Sequence, residues 1–305
     1  MTAARPWLVT GATGFVAGSI LAQAGEGAEL HALSRAPARP DSGSRPPHWH
    51  VCASTDRAAL AEVFRRVQPA AVIHTAALAD IDFCQANPAA AQAANVDFTR
   101  ALAELCADFH ARLIFCSTDT VFDGEHAPYT ETDPPGPVNV YAETKVAAEQ
   151  IVARLGASAV IARLALVMGL PVRGAGNSFL AKWLESFRTG RAVSVPAHEV
   201  RTPLDVLTAG RALLELAGSD FSGVIHLAGN ESLNRLDLAR RLARRFGFPE
   251  SLVVTQAPAA APGRAPRPRD VSLANAKARA MLRTPMRSLD EALDLIQATA
   301  VVEKS

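Results

Sequence analysis

The chain has 305 residues, 49% of them hydrophobic and 20% charged, with a formal net charge of +1. This is the composition of an ordinary globular protein with room for one large domain or two smaller ones. The charge balance leaves no basic field to attract nucleic acid or anionic lipid, so any bound phosphate must be held locally. The N-terminus runs directly into a buried strand at PWLVT, without the charged start and cleavage site of a signal peptide, and no apolar run approaches a membrane span. Cys52, Cys84, Cys106 and Cys116 are scattered, with no CxxC pair and no matched histidines. They read as reduced, mostly buried thiols in a cytoplasmic protein, and no metal site is expected.

Along the chain, apolar runs alternate with helical patterns: PWLVTG, GFVAGSILAQAG, ELHALSR, DRAALAEVFRRVQ, AAVIHTAA, NVDFTRALAELCADFH, RLIFCST, the helix after Asn139, and SAVIARLALV. Near-continuously apolar strands separated by helices predict a parallel sheet covered on both faces, and hence the α/β class. Beyond residue 167 the pattern loosens. GLPVRGAGNS is glycine-rich, NSFLAKWLESFRTG and RTPLDVLTAGRALLELAG read as helices, and VIHLAG as a strand. LNRLDLARRLARRFG reads as an amphipathic helix whose arginines form a solvated face. The segment from Ala257 to Pro268 is rich in Pro and Ala and reads as a surface loop in preference to a linker, since only a short tail follows.

Gly11 and Gly14, in LVTGATGFVAGS, lie between the first strand and the first helix. Such glycines allow a tight turn and let backbone N–H groups approach a pyrophosphate at a helix N-terminus. Gly11, Thr13, Gly14, Phe15 and Val16 are therefore expected to bind a dinucleotide, with Ala17 and Gly18 serving helix packing. The fold class follows as a Rossmann-type doubly wound parallel sheet with helices on both faces and a smaller C-terminal α/β region. Residues 1–167 are expected to bind the dinucleotide, with 203–220 packing back on them, and 168–305 mainly to bind substrate. The second strand ends in Ser34 and Arg35, where an NAD enzyme usually carries an acid. Arg35 suits the extra phosphate of NADP(H), which is favoured over NAD(H); otherwise it is a surface arginine of a loop.

Tyr141 stands four residues before Lys145 in VNVYAETKVAAEQ, and the chain has only two tyrosines. At that spacing the phenol and the ammonium project from one helix face, either as a solvated pair or toward a shared ligand. The other tyrosine, Tyr129 in HAPYTETDPPGP, has no lysine at helical spacing and is assigned to loop packing.

Together with TGATGFVA (10–17), HTAA (74–77), NVDFTRA (95–101), CSTDTVFDGEHAPYTETDPPGPVNVYAETK (116–145), RTPLDV from 201, and the tail PRPRDVSLANAKA followed by SLDEAL, these residues carry a family likeness over nearly the whole chain. The chain resembles the extended short-chain dehydrogenase/reductases, within them the dTDP-4-dehydrorhamnose reductase branch. The resemblance implies that Thr118 binds the substrate carbonyl, Tyr141 is the general acid, and Lys145 is its partner and holds the nicotinamide ribose. It also implies that Ala76 and Ala77 line the cofactor channel and that Asn95 supports the site. Asn95 reads equally well as a buried asparagine satisfying backbone groups.

Two departures bear on the substrate. Thr118-Asp119 is followed by Thr120, so the acidic pair of the 4,6-dehydratases is incomplete. Ala165-Leu166 stands where the reductase branch tends to carry Ser-Trp, which removes an aromatic that helps hold the nucleobase. The expected pocket comprises Val121, Phe122, Leu166, Met168 and the stretch from Arg173 to Lys182. Arg173, Asn177, Lys182 and Arg201 are offered for a diphosphate or another anion, or else as plain surface charges. The implied function is NADPH-dependent reduction of a ketone, a sugar nucleotide or a related polar carbonyl compound. The alternatives are an epimerase of the same fold and a non-catalytic NADP-binding regulatory subunit. Partners are a small-molecule substrate, neither nucleic acid nor membrane, with a homodimer paired through helices admitted by the resemblance.

Overall fold

The computed structural model describes residues 6–24, 29–36, 47–53, 55–173, 177–256 and 264–302. The apolar runs become strands β1 (Trp7–Thr10), β2 (Leu30–Ser34), β3 (His48–Val51), β4 (Ala71–His74), β5 (Arg112–Thr118) and β6 (Ala159–Leu164). With β11 (Gly223–Leu227) they form one seven-stranded sheet in the order β11-β6-β5-β4-β1-β2-β3. All pairings in it are parallel. The chain order reverses between β1 and β4, which opens a crevice beyond their C-terminal ends, where sheets of this class place ligands.

Adjacent residues on each strand feed opposite cores, as the pleat requires. Val9, Ile73 and Ile114 pack under α1 (Phe15–Gln23) and α8 (Val206–Ala217). Their neighbours Leu8, Val72 and Leu113 pack against α2 (Arg57–Val67), α5 (Phe98–Asp108) and α6 (Val140–Ala153). The helix α8 is fastened to α1 by Ser19 Oγ, which donates to the Val206 carbonyl at 2.7 Å, and by Gln23 Nε2, which donates to the Leu207 carbonyl at 3.0 Å. A third core joins α7 (Phe179–Arg188), α9 (Arg235–Arg245) and the first turns of α11 (Leu289–Val302). The pair β8 (Val193–Val195) and β13 (Val253–Thr255) closes it.

Two elements differ from the sequence pattern. The segment Gly223–Leu227, placed by the pattern in the C-terminal region, completes the central sheet beside β6, because its apolar run needs cover on both faces. The strand β3 was not expected, since its HWHV sequence carries two histidines; as an edge strand it tolerates their exposure.

Short elements bring the C-terminal region to the crevice. β7 (Val167–Met168) pairs with β10 (Leu204–Asp205), and β9 (Val200–Arg201) pairs antiparallel with β12 (Leu233–Asn234), which sets Arg201 beside the start of α9. On the other side α3 (Ile81–Ala86) and α4 (Pro88–Ala91) precede π-type turns over Gln92–Asp97 that lead into α5. α10 (Ala276–Met281) lies against β11. Residues 264–270 form a strap over this region. Arg267 grips both oxygens of Asp82 at 2.9 Å, and Asn139 Nδ2 donates to the Pro266 carbonyl at 3.0 Å. Arg264 pairs with Glu199 at 3.2 Å. Of the Ala257 to Pro268 loop, residues 257–263 lie outside the described residues. No helix among the described residues is long and apolar enough to cross a membrane.

Candidate functional site

The turn from β1 into α1 forms one wall of the crevice. Gly11 has φ +68°, and a Cβ there would lie 2.7 Å from Ala76 Cα and 2.8 Å from Ala76 N. Only glycine meets both demands, and its presence lets the loop after β4 touch the turn. Gly14 caps α1 without any side-chain bond, and no acid stands in the first turn. The first N–H groups of α1, with the helix dipole behind them, are thus left for an anion, flanked by exposed Thr13 and half-buried Phe15 and Val16. A Cβ on Gly18 would meet the Arg173 carbonyl oxygen at 2.7 Å, so that glycine serves close packing. At the end of β2, Arg35 is exposed, whereas the buried Ser34 donates its hydroxyl to the Ala36 carbonyl within its own turn.

The loop after β4 carries Ala76, half-buried, and Ala77, exposed. A chain of hydrogen bonds fixes it from beneath. Thr99 donates to the Asn95 carbonyl at 2.6 Å, so it must accept from His74 Nε2 at 3.0 Å, which leaves His74 Nδ1 to accept from Thr10 at 2.7 Å. Burial pushes the His74 pKa down to about 3, so this imidazole stays neutral. Asn95, seated in the π-type turns, accepts from the Leu78 N–H at 2.8 Å. Its amide donates to the Leu78 carbonyl at 3.1 Å and to Thr144 at 3.0 Å. It thereby ties the Ala76–Leu78 loop to α6.

Asn139 caps α6 by accepting from the Ala142 N–H at 2.9 Å. One turn inside, Tyr141 and Lys145 are both buried, 8% and 2% exposed. The phenol lies near the Thr118 hydroxyl at the C-terminal end of β5. Burial raises the phenol's pKa, the Thr118 hydroxyl opposes the rise, and the nearby Asp119 charge adds to it. Lys145 Nζ donates to the Cys116 carbonyl at 2.8 Å and lies 4.1 Å from the Phe115 ring centroid. Burial lowers its pKa to about 8. No carboxylate pairs with it among the described residues, since Glu149 is engaged by Arg163 at 2.8 Å and by Ser117 at 2.6 Å. A buried ammonium with donors to spare and a helix terminus free of acids fit a dinucleotide with a ribose near Lys145 and its pyrophosphate at Gly14.

Opposite Thr118 stands a group of buried charges. Asp119 Oδ2 has no hydrogen-bond partner, and Arg201 Nε is 3.9 Å away. Burial raises the Asp119 pKa against the pull of Arg201. The guanidinium of Arg201 is held by the carbonyls of Val200 at 2.7 Å and of Arg269 and Pro268, each at 3.4 Å. Arg235 lies over Phe179 and Trp183, 4.8 and 5.1 Å from the ring centroids, with its Nη1 sealed from solvent and without a hydrogen-bond partner. Burial lowers its pKa to about 10. The reading of all α9 arginines as a solvated face therefore fails for Arg235, which the β9–β12 pairing turns inward at the first turn of the helix. Arg235 was not singled out from the sequence, and Asp119 entered it only as half of an incomplete acidic pair, without a role. For Asp119 adjacency to Thr118 was the available signal, and for Arg235 its place directly after the capping Asn234.

Other expected substrate residues lie elsewhere. Val121 and Phe122 have no exposed surface and pack with Tyr129, Ala165, Ala228, Val271 and Leu273. The short helical turn after β5 drives both side chains into the core, away from the expected pocket. Asn177 accepts from Lys182 at 2.6 Å on an exposed surface, and residues 174–176 between Arg173 and Asn177 lie outside the described residues. Leu166 is half-buried and Met168 fully buried.

Tyr129 stacks on Phe122 with ring centroids 4.1 Å apart. Its oxygen accepts from the N–H groups of Gly124, Glu125 and His126 at 2.9, 2.9 and 3.0 Å and donates to Asp123. Tyr129→Phe would leave three N–H groups without that acceptor, at a cost of about 1–3 kcal/mol for each one that water cannot reach. A melting temperature lowered by several degrees is expected in a thermal scan; an unchanged value would show that the loop does not depend on this oxygen.

The RmlD substrate binding domain family matches residues 5–301. The dTDP-4-dehydrorhamnose reductase of Mycobacterium tuberculosis H37Rv is 33% identical over 267 residues, covering 85% of this chain and 82% of that protein. The methionine adenosyltransferase 2 subunit beta of Bos taurus is 30% identical over 225 residues, covering 72% and 66%. The structure of dTDP-4-dehydrorhamnose reductase from Bacillus anthracis in complex with NADP superposes with a TM-score of 0.84 at 21% identity, covering 96% of this chain and 99% of that one. With the family matched from end to end and the sheet order of the dinucleotide-binding fold in place, the chain belongs to the RmlD substrate binding domain family, within the extended short-chain dehydrogenase/reductases.

Proposed function

We propose that this protein is an NADPH-dependent reductase of a ketone, carried on a sugar nucleotide or a related polar compound, with Tyr141 as general acid. The observation that carries the reading is the burial of Tyr141 and Lys145 one helical turn apart, with the Thr118 hydroxyl acting on the phenol and the Lys145 ammonium bound to a carbonyl and to no carboxylate. When bound, the dinucleotide supplies the hydride. Thr118 orients the carbonyl oxygen, Tyr141 delivers a proton to that oxygen, and Lys145 stabilises the phenolate left behind. In the structure the ammonium faces Cys116 and Phe115, so its turn toward the phenol and a ribose accompanies binding. Gly11, Gly14 and the start of α1 would hold the pyrophosphate. The Mycobacterium tuberculosis relative is named as a reductase and the Bacillus anthracis structure contains NADP, which supports the same chemistry here.

Cofactor preference rests on the exposed Arg35 and the lack of an acid at the end of β2. Arg35→Ala is expected to weaken NADPH binding by about tenfold or more, the loss of one charged hydrogen bond, with NADH little changed. Equal wild-type affinities for the two cofactors in a fluorescence titration would overturn the preference.

On the substrate side, Arg235 and Arg201 suit an anionic group, and the Phe179–Trp183 pair offers aromatic surface near the half-buried Leu166. Arg235→Met should raise KM for a sugar nucleotide by roughly 10- to 100-fold with kcat less affected, the signature of lost ground-state binding. An unchanged KM would remove Arg235 from the site. The test of the whole reading is NADPH oxidation by the purified chain with dTDP-4-dehydrorhamnose and other ketosugar nucleotides. A second reading is favoured by the likeness to a methionine adenosyltransferase subunit: nucleotide binding without turnover, in a regulatory partner. Tight NADPH binding with no oxidation across that substrate panel would favour it.

A further inference from the structure

We propose that Glu29, His31 and His48 bind one divalent transition-metal ion, zinc by preference, at the edge of the central sheet. The site lies at the N-terminal ends of β2 and β3, opposite the crevice that holds Tyr141. It is independent of the reductase reading.

The sequence conceals this cluster because His31 and His48 are far apart in the chain; the strand register unites them. β2 and β3 pair in parallel with His31 opposite His48, and His50, two residues on, projects from the same face. The His31 ring lies between the other two, with centroids 4.9 Å from His48 and, edge to edge, 5.1 Å from His50. Glu29, just before β2, directs Oε1 to His31 Nε2 at 3.1 Å and to His48 Nε2 at 3.6 Å. All three donor atoms lie within 4.8 Å of one another. Tetrahedral zinc with bonds of about 2.0–2.1 Å needs ligand atoms roughly 3.3 Å apart, so the two measured edges already bracket the required spacing. Two imidazoles and one carboxylate are an established zinc donor set, and they leave a fourth position for water. His48 is 66% and Glu29 54% exposed, which gives an ion open access.

His31 is supported from behind by His50. Its Nδ1 lies 2.8 Å from His50 Nε2. Without an ion, His31 donates from Nε2 to Glu29 and accepts from His50. With an ion on His31 Nε2, the proton of His31 resides on Nδ1 and is donated to His50, whose own proton moves to its solvent side. Both rings stay neutral, so loading exchanges tautomers and adds no charge to either ring. This is the outer hydrogen bond that orients most metal-bound histidines. The bound ion would fasten the short edge strand β3 to β2.

The test uses the full chain after treatment with a chelator, titrated with ZnCl2 in a calorimeter and followed by thermal melting and by visible absorption with Co²⁺. One equivalent of Zn²⁺, a melting temperature that rises with Zn²⁺ concentration, and a four-coordinate Co²⁺ spectrum are expected. His48→Ala should abolish stoichiometric binding; its exposed position keeps the fold intact, which unchanged circular dichroism would verify. His50→Phe retains the three ligands and should weaken binding by about 10- to 100-fold. Absence of a stoichiometric Zn²⁺ isotherm in the wild type, or an affinity unchanged by His48→Ala, overturns the proposal.

Discussion

Tyr141→Phe is expected to cut reductase turnover by about two to four powers of ten, the usual worth of a positioned general acid, while NADPH affinity stays within a few-fold of wild type. The substitution removes one oxygen and leaves the ring that packs with Cys84 and Ala91. Thr118 keeps other partners, Asp119 at 3.2 Å and Thr120 at 3.1 Å, so its hydroxyl is not stranded and the end of β5 holds its shape. Burial keeps the free phenol protonated at assay pH, which is the form an acid needs. A loss confined to kcat therefore isolates proton delivery. Full activity in the variant would end the proposed mechanism.

Lys145→Met is expected to damage both turnover and cofactor binding, because in the proposed mechanism one ammonium serves the phenolate and a ribose. It should nevertheless raise the melting temperature of the cofactor-free chain by a few degrees. Lys145 is buried with a carbonyl and a ring for company, and its pKa falls from 10.5 to about 8. A shift of that size corresponds to about 3 kcal/mol of disfavoured charge, only part of which the lost hydrogen bond offsets. The sign can be followed with pH. Below about 8 the lysine is charged in folded and unfolded chains alike, and the burial penalty is fully present. Between about 8 and 10.5 the unfolded chain holds the proton that the folded chain has released, so this group adds stability as pH rises. Wild type should gain on the variant across that window, and its reductase activity, which needs the cation, should decline above about pH 8. A variant that melts lower than wild type at pH 7 would show that Lys145 stabilises the fold, contrary to this account.

The parts of the site that were legible in the sequence are those set by local spacing. Gly11 and Gly14 sit where a strand meets a helix, and Tyr141 and Lys145 are one turn apart, so their relation survives any tertiary arrangement. The strands of the sheet were legible because parallel strands buried on both faces leave unbroken apolar runs. What spacing could not reveal depends on register and on partners distant in sequence. Arg235 differs from the other arginines of its helix only in the neighbours it meets, Phe179 and Trp183. Val121 and Phe122 were expected in the substrate pocket, yet backbone direction sends them into the core. The histidines of β2 and β3 acquire meaning only once the two strands are laid side by side.

The strap of residues 264–270 sets the order in which this molecule can be completed. Asn139, at the head of the helix that carries Tyr141 and Lys145, makes its second side-chain bond to a carbonyl 127 residues downstream. Asp82 waits still longer for Arg267, across 185 residues. During synthesis the sheet strands up to β6 emerge and can pair well before these anchors exist, so the helix that would perform the chemistry is secured last. A polypeptide ending near residue 167 would keep both glycines and the Tyr141–Lys145 pair but have neither the anchor at Asn139 nor β11 along the outer edge of the sheet. Under the proposed function, nucleotide affinity and turnover would be separable by length: an early fragment would retain the glycine turn proposed for the phosphate, whereas chemistry would await the end of the chain.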